Sequence, residues 1–174
     1  MSTSYLPDSG EPKRAKFLSA WFAYPLALLV WWGLPWAISL LTVHYGWTTG
    51  RPSLWNLLGL IPVLIGTIGL LWGVAVHAAQ SSQGIEWELD KSYLLNRGLY
   101  AFSRHPMYLS ELILLFGWVI FYGSFALVIV FVIWYLFFNY YAIPQEERIL
   151  EAHFGEAYRE YKHKVPRWFG KIRH

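Results

Sequence analysis

The sequence predicts an all-α integral membrane bundle. About four transmembrane helices, the last two a helical hairpin, are followed by a C-terminal amphipathic helix. Three observations predict it. Aspartate, glutamate, lysine and arginine are absent from 17–50, 52–85 and 112–145, each 34 residues long; a spanning helix needs roughly 20 apolar residues. The chain is 56% hydrophobic and 14% charged, where soluble domains run at about 25% charged. From Pro144 onward the pattern changes to apolar residues recurring at helical spacing on a polar background.

The elements follow in order within one domain, 1–174. Residues 1–16 form a polar arm ending in Lys13, Arg14 and Lys16. The first helix covers about 17–41 and contains Pro25 and Pro35, which predict kinks. This stretch is too long for a signal-peptide core and lacks an A-x-A-like end, so no cleaved signal peptide is expected. Residues 42–52 read as a turn-rich loop. The second helix covers about 53–79, where Gly66, Gly69 and Gly73 predict close packing on a neighbouring helix. Residues 80–103 are a polar loop long enough to cover a site. Gly123-Ser124 divides the last apolar stretch into spans of about 105–122 and 125–143. Beyond Pro144, Leu150, Phe154, Tyr158, Tyr161 and Val165 make the apolar stripe. Glu156/Arg159 and Glu160/Lys164 support its polar face.

Four spans place both termini and the 80–103 loop on one side. That side holds 13 of the 14 lysines and arginines, and Arg51 stands alone on the other. The positive-inside rule then puts both termini in the cytoplasm. With no cysteine, thiolate catalysis and disulfides are excluded. No histidine pair has metal-ligand spacing with a carboxylate, so no metal is expected. No glycine-rich strand-to-helix loop suits a dinucleotide, and the 20% aromatic content fits membrane interfaces rather than nucleic acid.

Chemistry concentrates at Arg104-His105-Pro106 and at Glu146-Glu147. Pro106 suits the first turn of a helix, leaving His105 near the N-cap, where free N–H groups favour an anion. Arg104 adds a charge able to grip a carboxylate or phosphate in two places. The same residues would also serve as an interface anchor and a capped helix. Tyr108 and Glu111 follow on the opening turns. Glu111 is the only Asp, Glu, Lys or Arg between Arg104 and Glu146, and an acid inside a span is costly enough to suggest function. It could pair with Arg104, hold an amine or accept a proton. Glu146 and Glu147 fit the first turn of a helix opened by Pro144, and equally could bind ribose hydroxyls or an ammonium. His77 and Asn139, within or near spans, read as interhelical hydrogen-bond formers.

The run Arg97-Gly98-Leu99-Tyr100, Ser103-Arg104-His105-Pro106-Met107-Tyr108-Leu109, then Glu146-Glu147-Arg148-Ile149-Leu150, Phe154-Gly155, Tyr158, Tyr161 and Val165-Pro166-Arg167 resembles the isoprenylcysteine carboxyl methyltransferase and phospholipid methyltransferase superfamily. The resemblance covers about 97–167. It departs at Leu99, where the family often has proline, and at Ser110, where it often has glycine. It implies a small membrane bundle that binds S-adenosylmethionine near the cytosolic face and methylates a lipophilic acceptor arriving from the bilayer. By motif position, Gly98, Tyr100, His105 and Tyr108 would wrap the cofactor, and Glu146 and Glu147 would hold its polar groups. Arg104 and Arg167 would place a carboxylate acceptor, while Glu111 would be the base for an amine. Two other readings are an NADPH-dependent membrane sterol-type reductase and a non-enzymatic membrane scaffold.

Overall fold

A computed structural model describes residues 29–80, 94 and 96–169, without the side chains of 77–80. The polar arm, Pro25, the His77 side chain and the acidic part of the 80–103 loop lie outside the described residues. Helices dominate. A π turn, Leu29–Gly33, leads into α1, Leu34–Ser39. A two-residue antiparallel ladder pairs β1, Trp47–Thr48, with β2, Arg51–Pro52. There follow α2, Leu54–Leu57; α3, Leu60–Gln80; α4, Pro106–Tyr122; and α5, Phe125–Phe137. A second π turn, Phe138–Ala142, joins α5 to α6, Ile143–Phe154, and α7 is Glu156–Lys164. Among the described residues, Leu54–Val76 and Phe125–Phe154 are helices long and apolar enough to cross a membrane, and Pro106–Tyr122 is a shorter apolar one. The chain is an all-α membrane bundle.

α3 and α4 form the most extensive helix pair, and small residues set their distance. A Cβ added at Gly66 would stand 2.6 Å from Leu114 and from the Ser110 carbonyl. One at Gly117 would meet the Val63 nitrogen at 2.6 Å, and one at Gly73 would meet Met107 at 2.7 Å. Gly59, Gly66 and Gly73 recur every seven residues and face Gly117, Leu114 and Met107, which run the opposite way. The helices are therefore antiparallel with backbones in near contact, the packing small residues permit in lipid. Val63, Leu114, Leu115, Trp118, Tyr122 and Leu127 make the main buried cluster.

The α4–α5 hairpin closes at Gly123, left-handed with φ +56°. Its carbonyl accepts the Tyr45 N–H at 3.0 Å, and buried Asn56 donates to the carbonyls of Tyr45 and Ile120, each at 3.0 Å. This end of the bundle is sealed by neutral hydrogen bonds. Among the described residues, the ionic cluster lies at the other end, while Arg51 in β2 stays at this one.

Both π turns stop two residues before a proline, Gly33 before Pro35 and Ala142 before Pro144. The reason is backbone bookkeeping. Proline offers no N–H and its ring collides with the carbonyl four residues earlier, so the preceding turn widens. The freed carbonyls take side-chain donors. Trp31, which would need the N–H of Pro35, accepts the Trp118 indole at 2.9 Å. Pro35 thus stands in the first turn of α1, directly after the π turn.

One boundary differs from the expectation. A span ending at 143 and a separate amphipathic helix were predicted, whereas the helix runs on through Phe154 and breaks at Gly155, with φ +54°. The apolar stripe survives the break: Tyr158, Tyr161 and Val165 are buried together, with Leu94, Leu150 and Phe154 packed against them.

Candidate active site

The segment 98–105 is fixed by backbone and tail together. Gly98 has φ +62°, and a Cβ there would stand 2.7 Å from the Trp72 ring, so only glycine fits. It opens a short 3₁₀ turn, Gly98–Ala101. The Tyr100 carbonyl accepts the Tyr161 hydroxyl at 2.7 Å. Ser103 accepts the His105 N–H at 3.2 Å and donates to the Arg167 carbonyl at 3.0 Å. Arg104 donates its N–H to the Pro166 carbonyl at 3.0 Å. His105 is the N-cap of α4, with Pro106 in its first turn. The tail at 166–167 is thereby held against the mouth of α4.

Glu147 lies on α6 with its side chain 5% exposed. Its Oε1 is 3.2 Å from Arg104 Nη2 and 3.4 Å from His105 Nε2. Its Oε2 accepts Arg167 Nη2 at 3.0 Å, with Lys162 Nζ at 3.7 Å. Burial alone would push this carboxyl upward. The hydrogen bonds from His105 and Arg167 and the charges of both arginines outweigh it and hold the pKa down at about 2.

Glu146, one residue earlier, is more open, with its side chain 26% exposed. Its Oε2 is 3.4 Å from His105 Nδ1 but makes no hydrogen bond. Both imidazole nitrogens thus face carboxylates, an arrangement that suits the doubly protonated ring. Burial opposes that charge, yet Glu146 and Glu147 more than offset it and the His105 pKa is raised. Arg104 keeps two buried donors, Nε and Nη1, without a partner. The cluster holds three permanent cations, Arg104, Lys162 and Arg167, against two carboxylates. Beyond these ion pairs, Arg104 keeps donors and Glu146 Oε2 an acceptor that make no hydrogen bond.

Aromatic rings wall this mouth. The Tyr108 ring centre lies 5.8 Å from that of His105 and 4.6 Å from Phe138. The Tyr100 ring lies 6.1 Å from Trp72. Burial, then the Glu146 charge, raises the Tyr100 phenol pKa, so it stays a neutral hydroxyl.

The fold brings Arg104, His105, Glu146, Glu147 and Arg167 together, with Gly98, Tyr100 and Tyr108 around them. Glu111 is set apart. It lies deeper in α4, towards the Trp134 indole. Arg104 turns to Glu147 instead of Glu111.

Sequence reasoning missed Lys162 and Trp168, and gave Ser103 no role beyond its place in the motif. Lys162 resembles any cation of an amphipathic helix, and nothing in its spacing singles it out. Asn139, expected to bond between helices, instead bonds to the tail beyond α7. Its Oδ1 accepts Arg167 Nη1 and Trp168 Nε1, each at 3.4 Å.

Residues 54–157 match the profile of the phospholipid methyltransferase family. The chain belongs to this family. A protein-S-isoprenylcysteine O-methyltransferase of Schizosaccharomyces pombe is 36% identical over 95 residues, which is 52% of this chain and 39% of that protein. An uncharacterized protein of Haemophilus influenzae is 42% identical over 62 residues, 36% of this chain and 98% of that protein. As a member of the phospholipid methyltransferase family, the bundle is a membrane methyltransferase. The family match covers α2 to the first residues of α7, and so includes Arg104, His105, Glu146 and Glu147 but not Arg167.

Proposed function

We propose that this membrane methyltransferase uses S-adenosylmethionine and methylates a lipophilic acceptor reaching the site from the bilayer. One observation carries the reading: a buried ionic cluster with complementary open valences stands at the mouth of an apolar bundle. The unpartnered Arg104 Nε and Nη1 suit a carboxylate, and Glu146 Oε2, engaged by the 3.4 Å ion pair to His105 but by no hydrogen bond, suits an ammonium or a ribose hydroxyl. An amino-acid zwitterion joined to a nucleoside offers these groups together. Family membership also favours methyl transfer over the reductase and scaffold readings.

S-adenosylmethionine supplies a methyl group already activated on a sulfonium. The chain's task is to align and to exclude water, which can supply roughly 7–11 kcal/mol. Gly98, Tyr100, His105 and Tyr108 close around the cofactor, Glu146 faces it, and Glu147 locks the surrounding cations in place. Arg167, 30% exposed, places a carboxylate acceptor, which needs no base because it is already ionised at neutral pH. A second reading is an amine acceptor deprotonated by Glu111, favoured by that acid's position inside a span. The site faces the cytoplasm, following the charge asymmetry. Labelling of single cysteines placed in this cysteine-free chain from either side of a vesicle checks that orientation.

The test is transfer of a radiolabelled methyl group into an S-prenylated cysteine or into phosphatidylethanolamine vesicles. Label in the first, lost with Arg167→Ala, supports the carboxylate reading. Label only in the second, lost with Glu111→Gln, moves the assignment to the amine. Label in neither, from protein that binds the cofactor, rejects both acceptor classes.

A further inference from the structure

The second π turn does more than accommodate Pro144. Within it the Ile143 N–H bonds to the Phe138 carbonyl, five residues back. In an α-helix that N–H would serve Asn139. The next N–H along, the π-register donor for Asn139, is missing because residue 144 is proline. Asn139 therefore has a carbonyl with no donor from its own helix. Arg167 Nη1 supplies one at 3.3 Å and also reaches the Asn139 side-chain oxygen at 3.4 Å. The same side-chain oxygen accepts the Trp168 indole. The other face of the guanidinium fork, Nη2, meets Glu147 Oε2 at 3.0 Å. Arg167 is thus clamped between two elements, and one clamp exists only because the helix register slips by one residue.

We propose that Asn139 is a positioning residue for methyl transfer, its carbonyl released by the π turn ahead of Pro144 so that both its oxygens fix Arg167 in one orientation against Glu147. The proposal rests on the reading that Arg167 faces the acceptor. The Ser103 contact does not replace this one, because it holds the Arg167 carbonyl and so fixes the backbone alone.

Two variants test it from opposite sides. Asn139→Leu removes the side-chain acceptor. Pro144→Ala restores an N–H that can reclaim the Asn139 carbonyl, and it favours helix. The first readout needs no cofactor: the rate of phenylglyoxal modification of Arg167, mapped by mass spectrometry in detergent. It should rise several-fold in both variants. Where methyl transfer is measurable, kcat should fall roughly 10- to 100-fold with KM for S-adenosylmethionine within about twofold, as misplacement of a reacting group predicts. Asn139→Asp keeps an acceptor and should recover most of the activity. In an Arg167→Lys background, Asn139→Leu should cost nothing further. Wild-type modification rates in both variants overturn the proposal, and so does an additive effect in the Arg167→Lys background. If Asn139→Leu does not fold, Pro144→Ala decides alone. Should wild-type protein transfer no methyl group, the functional reading fails, while the modification rates still decide the clamp.

Discussion

Glu146 and Glu147 are adjacent in sequence and opposite in situation. Glu147 spends both oxygens on four cationic neighbours, whereas Glu146 keeps an oxygen without a hydrogen bond. Their substitutions should separate accordingly. Glu146→Gln should weaken binding of S-adenosylhomocysteine at least tenfold and leave Tm nearly unchanged. Glu147→Ala strands Arg104, His105 and Arg167, and loss of one partner from a buried cluster costs about 3–5 kcal/mol. Thermal melts beside binding isotherms check both, and wild-type affinity in Glu146→Gln would reject its proposed role. The pH response follows from His105. Its folded pKa is raised, so its contribution is complete below the unfolded value of about 6.5 and is lost as pH rises through the folded value. Glu147 contributes in the opposite sense, with its share lost only as pH falls towards about 2. Melts should therefore show stability declining as pH rises above about 6.5, and His105→Ala should flatten that decline.

At the scale of elements, the closest tolerance is the α3–α4 contact. Gly66→Val places atoms where Leu114 and the Ser110 carbonyl already stand. It should destabilise the bundle by about 1–3 kcal/mol, read as a lowered Tm. The glycines, the Gly123-Ser124 hairpin and the charge-free runs made this part of the fold legible in the sequence. The π turns were not legible as such, although Pro35 and Pro144 marked their places. A proline says that a hydrogen bond is lost, and only the packed structure says which donor replaces it. The break at Gly155 escaped for a different reason: the stripe from Leu150 to Val165 keeps its helical period across it, and periodicity does not register one left-handed residue. In the site, Arg104, His105, Glu146 and Glu147 stood out because charge is rare here and proline flanks each pair. Lys162 did not, since its approach to Glu147 depends on how α7 folds back after Gly155.

The two ends of the apolar bundle differ in chemistry. One mouth is sealed by neutral bonds among Tyr45, Asn56, Ile120 and Gly123, and the other carries the ionic cluster beside lipid-facing helices. That asymmetry suits an enzyme that meets a polar cofactor on one side and draws its acceptor from the membrane. It does not suit a polar path through the bundle. The most direct test is calorimetric titration of the detergent-solubilised protein with S-adenosylhomocysteine and, separately, with NADPH. Saturable binding of the first, absent for the second and weakened by Glu146→Gln, is the predicted result. Binding of NADPH alone, or silence from a folded sample towards both, would contradict it.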